Sequence, residues 1–296
     1  MATRTTPITQ TYVTPYITVA EFKAAATGVD VSALVAGGSQ AAQDAELVNV
    51  INRASSFVDT YCSSSLAAQS QVETGRTRFT REGTLRIHPQ NTPILQVTSL
   101  TWGTLPNAQT GAVDPVNLWI EDQMIVAPLA GAGSWTGNLF QFGVSGYPGG
   151  QVYYTLSYVS GYPLSTVTSA VAAGQTTLPV ADRTGFIGGM GVTIFDGQNT
   201  EQALIATSYV GATGAGSLTL ASATVNAHGL LAAVSALPPA VKEAAILLTS
   251  ALIKQRGSGS ITMQGIEPGG TVGTWGAGES DKCLAYEMLK PFRNPY

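Results

Sequence analysis

The stretch QAAQDAELVNVINRASSFVDTYC, residues 40–62, decides the fold. Its apolar residues recur at spacings of three and four, which on a helix form one stripe. The stripe consists of Leu47, Val48, Ile51, Ala54, Phe57, Val58 and Tyr61. Residues 237–256 repeat this spacing after two prolines that suit a first helical turn, and Gly257 supplies a stop. The spacing therefore predicts two helices that pack together, although residues 63–236 separate them.

Shorter helices are predicted near both ends of the chain. Thr18 and Glu21 have the spacing of a capping box, in which a hydroxyl and a carboxylate satisfy free amides at the start of a helix. Ile17 and Phe22 flank this cap as a hydrophobic staple. A last helix is expected over residues 280–290, between an early aspartate and a following proline.

The sequence between the two long helices has the period of strands. Residues 78–87 are predicted to form a hairpin, and further strands are expected at 94–102, 118–127 and 151–159. Residues 131–150 are rich in glycine and aromatic side chains, which is typical of a long surface loop. This part of the chain is therefore expected to be rich in β-structure.

Residues 165–236 are predicted to form a separate β module. Short strand candidates lie at 177–180, 191–196, 202–209 and 217–220, with turn sequences between them. The segment contains few charged residues and many turns, which suits a small barrel or sandwich.

These patterns predict an α+β fold in which helices from both ends of the chain form a small bundle around a β-rich excursion. Four parts are expected. They are an N-terminal arm with helices (1–75), a β-rich region (76–164), the β module (165–236) and the C-terminal helices with a Gly-rich loop and a tail (237–296).

The composition favours a subunit of an assembly over a lone enzyme. Charged residues make up 11% of the 296 residues, against roughly a quarter in typical soluble domains. A surface of so little charge is tolerated where a subunit is buried among other copies. The formal net charge of -4 argues against a protein that coats nucleic acid by bulk attraction, because such proteins carry a basic excess.

The thiols and apolar runs indicate a protein assembled in a cytoplasm. Cys62 and Cys283 give neither a disulfide framework nor a metal site, and both are interpreted as buried, reduced thiols. No apolar run is long enough to span a bilayer, so no membrane contact is expected. The first residues lack the hydrophobic core of a signal peptide.

The sequence contains no recognised catalytic motif. Phosphate-binding loops, His-Glu-x-x-His, Gly-x-Ser-x-Gly and paired-cysteine metal spacings are all missing. His88 and His228 are interpreted as surface or turn histidines. Asp196 and Glu201 flank a predicted turn and could be read as a glycosidase acid and base, but a hairpin turn with polar neighbours is favoured. We therefore expect no enzymatic activity, no metal and no cofactor.

The order of these elements, with particular residues, resembles the phage head-tail connector proteins, the adaptor or head-completion family. The resemblance is carried by YITVAEFK at 16–23, the helix face at 47–61, LSYVSGYP at 156–163, LPPAVKEAAILL at 237–248 and YEMLKPFR at 286–293. In the family the Gly-Tyr turn runs almost directly into the Pro-led helix. Here residues 165–236 lie between them, so the β module is interpreted as an insertion at a surface turn.

The resemblance implies a structural protein of the virion neck, at the head-tail interface. Such a protein forms a ring beneath the portal, usually dodecameric in this family, which extends the DNA channel and docks the stopper or tail. The implied partners are further copies of the chain, the portal protein, a stopper or tail-terminator protein and, transiently, the packaged DNA. Assembly would take place in the host cytoplasm.

Three groups of residues are candidates for contact with partners. A basic run is interpreted either as the solvent-facing side of a hairpin or as a patch facing the portal, a neighbouring subunit or DNA: Arg76, Arg78, Arg81 and Arg86. An aromatic loop either contacts a partner or folds back onto the sheet: Trp135, Phe140, Phe142 and Tyr147. The chain end is interpreted as a docking tail: Phe292, Arg293 and Tyr296.

Two other classes of function fit the same sequence. One is a carbohydrate- or receptor-binding virion protein that uses the β module and the aromatic loop. The other is a hydrolase with a sparse site. Neither accounts for the helices at both ends of the chain.

Overall fold

The computed structural model describes residues 14–78, 80, 84–103, 111–128, 151–257 and 279–293. These ranges form a mixed α and β chain with several antiparallel sheets and a few helices. The predicted α+β class is therefore confirmed at this level. No helix within the described ranges is both long and apolar enough to cross a membrane.

The α-helices lie towards the two ends of the chain. They are α1 (Val19–Ala24), α2 (Gln40–Cys62), α3 (Pro239–Gly257) and α4 (Glu279–Leu289). Helix α2 contacts α1, α3 and α4, and α3 also contacts α4. Residues from all four helices share one buried apolar core. The two long helices that the spacing pairs are therefore in contact.

Helix α1 begins as the sequence predicts. The Thr18 hydroxyl accepts a hydrogen bond from the Glu21 amide at 3.2 Å, and the Glu21 carboxylate accepts one from the Thr18 amide at 2.7 Å. The capping box is therefore confirmed. Ile17 and Phe22, the predicted staple residues, are each 1% exposed in the helical core.

The buried face of α2 differs in part from the predicted stripe. Leu47, Ile51, Ala54 and Val58 are buried, but Val48 and Phe57 are 41% and 46% exposed. Val50 and Cys62 are buried instead. The covering helices reach only the side of α2 centred on these residues, so apolar side chains at the margin of the stripe stay in solvent. The prediction of a buried thiol is right for Cys62 and wrong for Cys283, which is exposed on α4.

The β-rich region contains two antiparallel sheets that share one apolar core. The first sheet has the order β1 (Gln69–Arg78), β7 (Gln151–Ser160), β3 (Ile94–Gly103) and β4 (Gly111–Val113). The second has the order β2 (Thr84–Ile87), β6 (Met124–Pro128) and β5 (Trp119–Glu121).

The predicted 78–87 hairpin is described only in part, because residues 79 and 81–83 lie outside the described ranges. The Thr80 amide donates a hydrogen bond to the Thr84 carbonyl at 3.0 Å, so the chain turns back between them. Strand β1, which ends at Arg78, pairs with β7 along its whole length, and β2 belongs to the other sheet.

The strand predicted at 118–127 needs correction. The expected single strand at 118–127 is itself a hairpin, β5–β6. Asp122 and Gln123 have φ values of 47° and 62°, and a tight two-residue hairpin needs positive φ at both positions.

The segment predicted as a β module contains six short strands. They are β8 (Leu164–Thr166), β9 (Thr177–Val180), β10 (Gly191–Phe195), β11 (Glu201–Leu204), β12 (Gly216–Thr219) and β13 (Ala233–Ser235). One sheet has the order β11-β10-β13-β8 and the other the order β12-β9. Isolated bridges join the sheets on both sides, between Val167 and Val180 and between Ile205 and Leu220. Strands β8 and β13 were missed because each is only three residues long.

The first and last strands of this segment lie side by side. Leu164 of β8 is opposite Ser235 of β13 in an antiparallel pair. Just outside the pair, the Ala236 amide donates a hydrogen bond to the Pro163 carbonyl at 2.9 Å. Gly161, immediately before this point, has φ of 102°, a value that favours glycine.

Candidate functional site

A basic edge runs along the margin of the two sheets of the β-rich region. We define it as Arg76 and Arg78 of β1 with Arg86 of β2, all of which are exposed. The two strands meet there, because the Thr77 hydroxyl donates a hydrogen bond to the Arg86 carbonyl at 2.6 Å. The sequence-predicted residue Arg81 lies outside the described residues.

The charges of the basic edge are available to a partner. The Arg76 guanidinium lies 4.8 Å from the ring centroid of Tyr153, the residue opposite it on β7. This cation–π contact steadies the side chain without neutralising its charge. Among the described residues, no ion pair involves Arg76, Arg78 or Arg86.

An acidic edge, which sequence reasoning missed, occupies residues 114–122. It consists of a short 3-10 helix, Pro115–Asn117, followed by the edge strand β5. Its exposed carboxylates are Asp114, Glu121 and Asp122. Its apolar residues Val116, Trp119 and Ile120 are 87%, 45% and 42% exposed. The available signal was a tryptophan close to three carboxylates, a combination that one buried strand would not carry.

The described part of the predicted docking tail packs on its own chain. The Phe292 ring meets the Tyr162 ring edge-on, with centroids 6.4 Å apart. The Arg293 guanidinium lies 5.9 Å from the centroid of Tyr61, which in turn stacks on Tyr286 at 4.7 Å. Contact of the tail with a partner stays a prediction. Outside the described residues lie Tyr296 and the predicted aromatic loop residues Trp135, Phe140, Phe142 and Tyr147.

An open cleft of about 200 Å³ lies where the N-terminal segment, strands β8 and β13, and helix α3 come together. Most of its lining is apolar or small, but it also contains the charged residues Glu21, Asp182 and Lys242. The Lys242 ammonium lies 2.7 Å from a Glu21 carboxylate oxygen, and the two side chains are only 18% and 7% exposed. This ion pair joins α1 to α3, although the two residues are 221 positions apart in the sequence.

His228 is interpreted from the sequence as a surface or turn histidine, and because it is buried, the surface alternative is wrong. It is 1% exposed, and its Nε2 lies 3.0 Å from a Glu201 carboxylate oxygen. The other oxygen of Glu201 accepts hydrogen bonds from the amides of Val225 and Asn226. Asp196 accepts a hydrogen bond from the Gly229 amide at 2.7 Å. His88, in contrast, is exposed, as predicted.

The contacts of Glu201 are those of a structural acceptor. Burial raises the pKa of Glu201, but the hydrogen bonds from His228 and from two backbone amides outweigh burial, so this pKa lies below its ordinary value. A general acid needs the opposite shift. Glu201, His228 and Asp196 tie the turn after β10 to the loop before β13, which agrees with the interpretation of a turn with polar neighbours.

A fully buried carboxylate, Glu73, connects β1 to β7 and to the segment after β2 in the β-rich region. Glu73 is 2% exposed and accepts hydrogen bonds from the hydroxyls of Tyr154 and Tyr158 and from the Gln90 amide. Burial, together with the charge of Glu73, raises the pKa of Tyr158 to about 12. Across the part of the chain that the structure describes, no group of three or more His, Cys, Asp or Glu side chains could hold a metal ion.

The basic edge and the acidic edge each combine exposed charges of one sign, and the acidic edge adds exposed apolar side chains. The cleft and the buried carboxylates instead connect elements of the fold. No protein-family model matches this chain, and no curated protein sequence matches it significantly.

Proposed function

We propose that this chain is a structural protein of a tailed-phage virion, a head-tail adaptor. Copies of it would form a ring beneath the portal, extend the DNA channel and dock the stopper or tail. The observation that carries the proposal is that helices from the end of the chain pack against helices from its beginning. After the long β excursion, α3 and α4 pack against α2 in one core, in the order of elements that resembles the connector family.

In this proposal α1 to α4 form a small bundle that is the body of the subunit. Their shared core and the buried pair between Glu21 and Lys242 support it. Residues 165–236 would be an inserted small barrel. The support for a barrel is that its two sheets are bridged on both sides and enclose a separate apolar core.

The distribution of charge also supports a channel-forming role. A channel that grips phosphates strongly would resist the passage of DNA, and the formal net charge of the chain is -4. Three of the described arginines, Arg76, Arg78 and Arg86, lie together at a sheet margin, where they suit a protein contact better than a continuous DNA-binding groove.

The test is the mass and symmetry of the purified protein. Native mass spectrometry and electron microscopy would be performed on the chain alone and with the portal ring from the same genome, with an unrelated portal as the control. We expect a ring, either free or formed on its own portal only. A monomer that ignores this portal would contradict the proposal.

A receptor-binding role is the second candidate, and one observation favours it. The 165–236 segment exposes Val225, Leu230 and Leu231 to 81%, 61% and 65%, and Leu231 has φ of 68°. Exposed apolar residues held in a turn are typical of contact surfaces. Binding of the chain to the host envelope, lost in Leu230→Ser with Leu231→Ser but retained in Val48→Ser, would favour this role. Binding that persists in both variants would contradict it.

A further inference from the structure

We propose that copies of this chain join head to tail, with the basic edge of one copy against the acidic edge of the next. The inference rests on the proposed ring assembly and names the two surfaces that would build it. The partner of each edge is therefore a second copy of the chain.

The two edges lie at opposite margins of the same pair of sheets. Strands β1 and β2 are the margins of their sheets on one side and contact each other. Strands β4 and β5 are the margins on the other side, joined by the 3-10 helix of the acidic edge, which contacts β3. One copy cannot bring its own edges together. Two copies placed side by side in the same orientation can.

The chemistry of the edges is complementary. Three arginines lie on one side, and three carboxylates lie on the other, interleaved with Val116, Trp119 and Ile120. Tryptophan and arginine are the residues most enriched at the centres of interfaces, and a guanidinium stacks well on an indole. An edge strand with an exposed tryptophan and isoleucine is also an aggregation hazard unless another surface covers it.

A contact of this kind builds a ring when its rotation closes. The two patches differ, so the contact is heterologous, and an open assembly keeps one free patch at each of its two ends until it closes. A contact between identical patches would stop at a dimer. The same exposed arginines could instead face the portal, and the experiment below separates these two outcomes.

The experiment uses two variants, each with one edge disabled. Arg76→Ser with Arg78→Ser disables the basic edge, and Trp119→Ser with Glu121→Ser disables the acidic edge. The matched control is Arg53→Ser with Lys290→Ser, which removes two exposed cations on helices, away from both edges. Circular dichroism and urea midpoints verify folding, which these exposed positions should leave unchanged. Native mass spectrometry, with and without the portal ring, gives the assembly state.

We expect each edge variant to need a roughly tenfold or higher concentration for assembly, while the control assembles like the wild type. An equimolar mixture of the two variants should give one-to-one dimers, because only one intact contact remains per pair. A swapped chain with Arg76→Glu, Arg78→Glu, Glu121→Arg and Asp122→Arg should recover rings.

Three results would overturn the inference. Wild-type rings together with unimpaired edge variants would refute it and leave the adaptor proposal standing. A basic-edge variant that forms normal rings but no longer binds the portal would assign that edge to the portal. A wild-type chain that stays monomeric with and without the portal would refute both the inference and the proposed function.

Discussion

Lys242→Met is expected to destabilise the helical core by about 2–3 kcal/mol. The Lys242 ammonium lies 2.7 Å from one oxygen of Glu21, in a site where both side chains are largely buried. Methionine keeps the length of the side chain and removes the charge. The Glu21 carboxylate then stays between α1 and α3 without its cation.

The size of the loss in stability depends on the interactions that Glu21 retains in the variant. Breaking a buried ion pair on one side costs about 3–5 kcal/mol, because an uncompensated charge remains. The expected loss is smaller here, since Lys242 is 18% exposed and the other Glu21 oxygen still accepts from the Thr18 amide at 2.7 Å. With a urea dependence of about 2–3 kcal/mol per molar, the unfolding midpoint should fall by about 1 M.

The assay is urea unfolding followed by far-ultraviolet circular dichroism, which reports on the helices. Lys23→Met is the matched control, because Lys23 lies on α1 beside Glu21 and also forms an ion pair, with Asp44, but the two side chains are 34% and 39% exposed. Its midpoint should move far less. The double variant Glu21→Gln with Lys242→Met should recover part of the loss. A Lys242→Met midpoint equal to the wild type, or a double variant no more stable than Lys242→Met alone, would refute the reasoning.

Three more predictions concern single residues. The pKa of Glu201 is lowered in the folded chain, so the stability that Glu201 contributes is present above its unfolded pKa and is lost as pH falls through the folded value. The difference in melting temperature between wild type and Glu201→Gln should therefore shrink towards acid pH, and a constant difference would contradict this. Burial raises the pKa of the Cys62 thiol to about 12, so a thiol reagent should label only Cys283 in the native chain. Both cysteines should be labelled after unfolding. Rapid labelling of both cysteines in the native chain would contradict this. Gly161→Ala would place a Cβ 2.5 Å from the Ala67 carbonyl oxygen, at a residue whose φ is positive. This change should lower the free energy of unfolding by about 2 kcal/mol or more, measured by the urea midpoint. Gly191→Ala has open space around the added Cβ and should leave the midpoint nearly unchanged.

The helices were predictable because their signals are local. The spacing over residues 40–62 and the capping box at Thr18 depend on neighbours within one or two turns. Which side of a helix is buried depends on the elements that cover it. Val48 and Phe57 are therefore exposed, although both belong to the predicted stripe. The α+β class follows from the change of period along the chain and does not need tertiary information.

The strand pairings and the charged surfaces were less predictable because they depend on distant parts of the chain. The ladder of β1 with β7 joins residues 69–78 to residues 151–160, and no local signal predicts a partner so far along the chain. Glu201 lies 27 positions from His228, and no spacing rule connects them. The basic run was visible as a cluster in the sequence. Its acidic counterpart emerges only when β5 is seen as an edge strand.

Because β8 pairs with β13, the segment between them could be inserted or removed as one unit. Paired positions in an antiparallel ladder are about 5 Å apart, so Leu164 and Ser235 offer two attachment points that a short turn could also span. A genome could therefore gain, lose or exchange residues 165–234 without moving the helices on either side. In the proposed adaptor, related chains could in this way carry different modules on the same helices, and the same two positions offer a site for grafting a foreign domain.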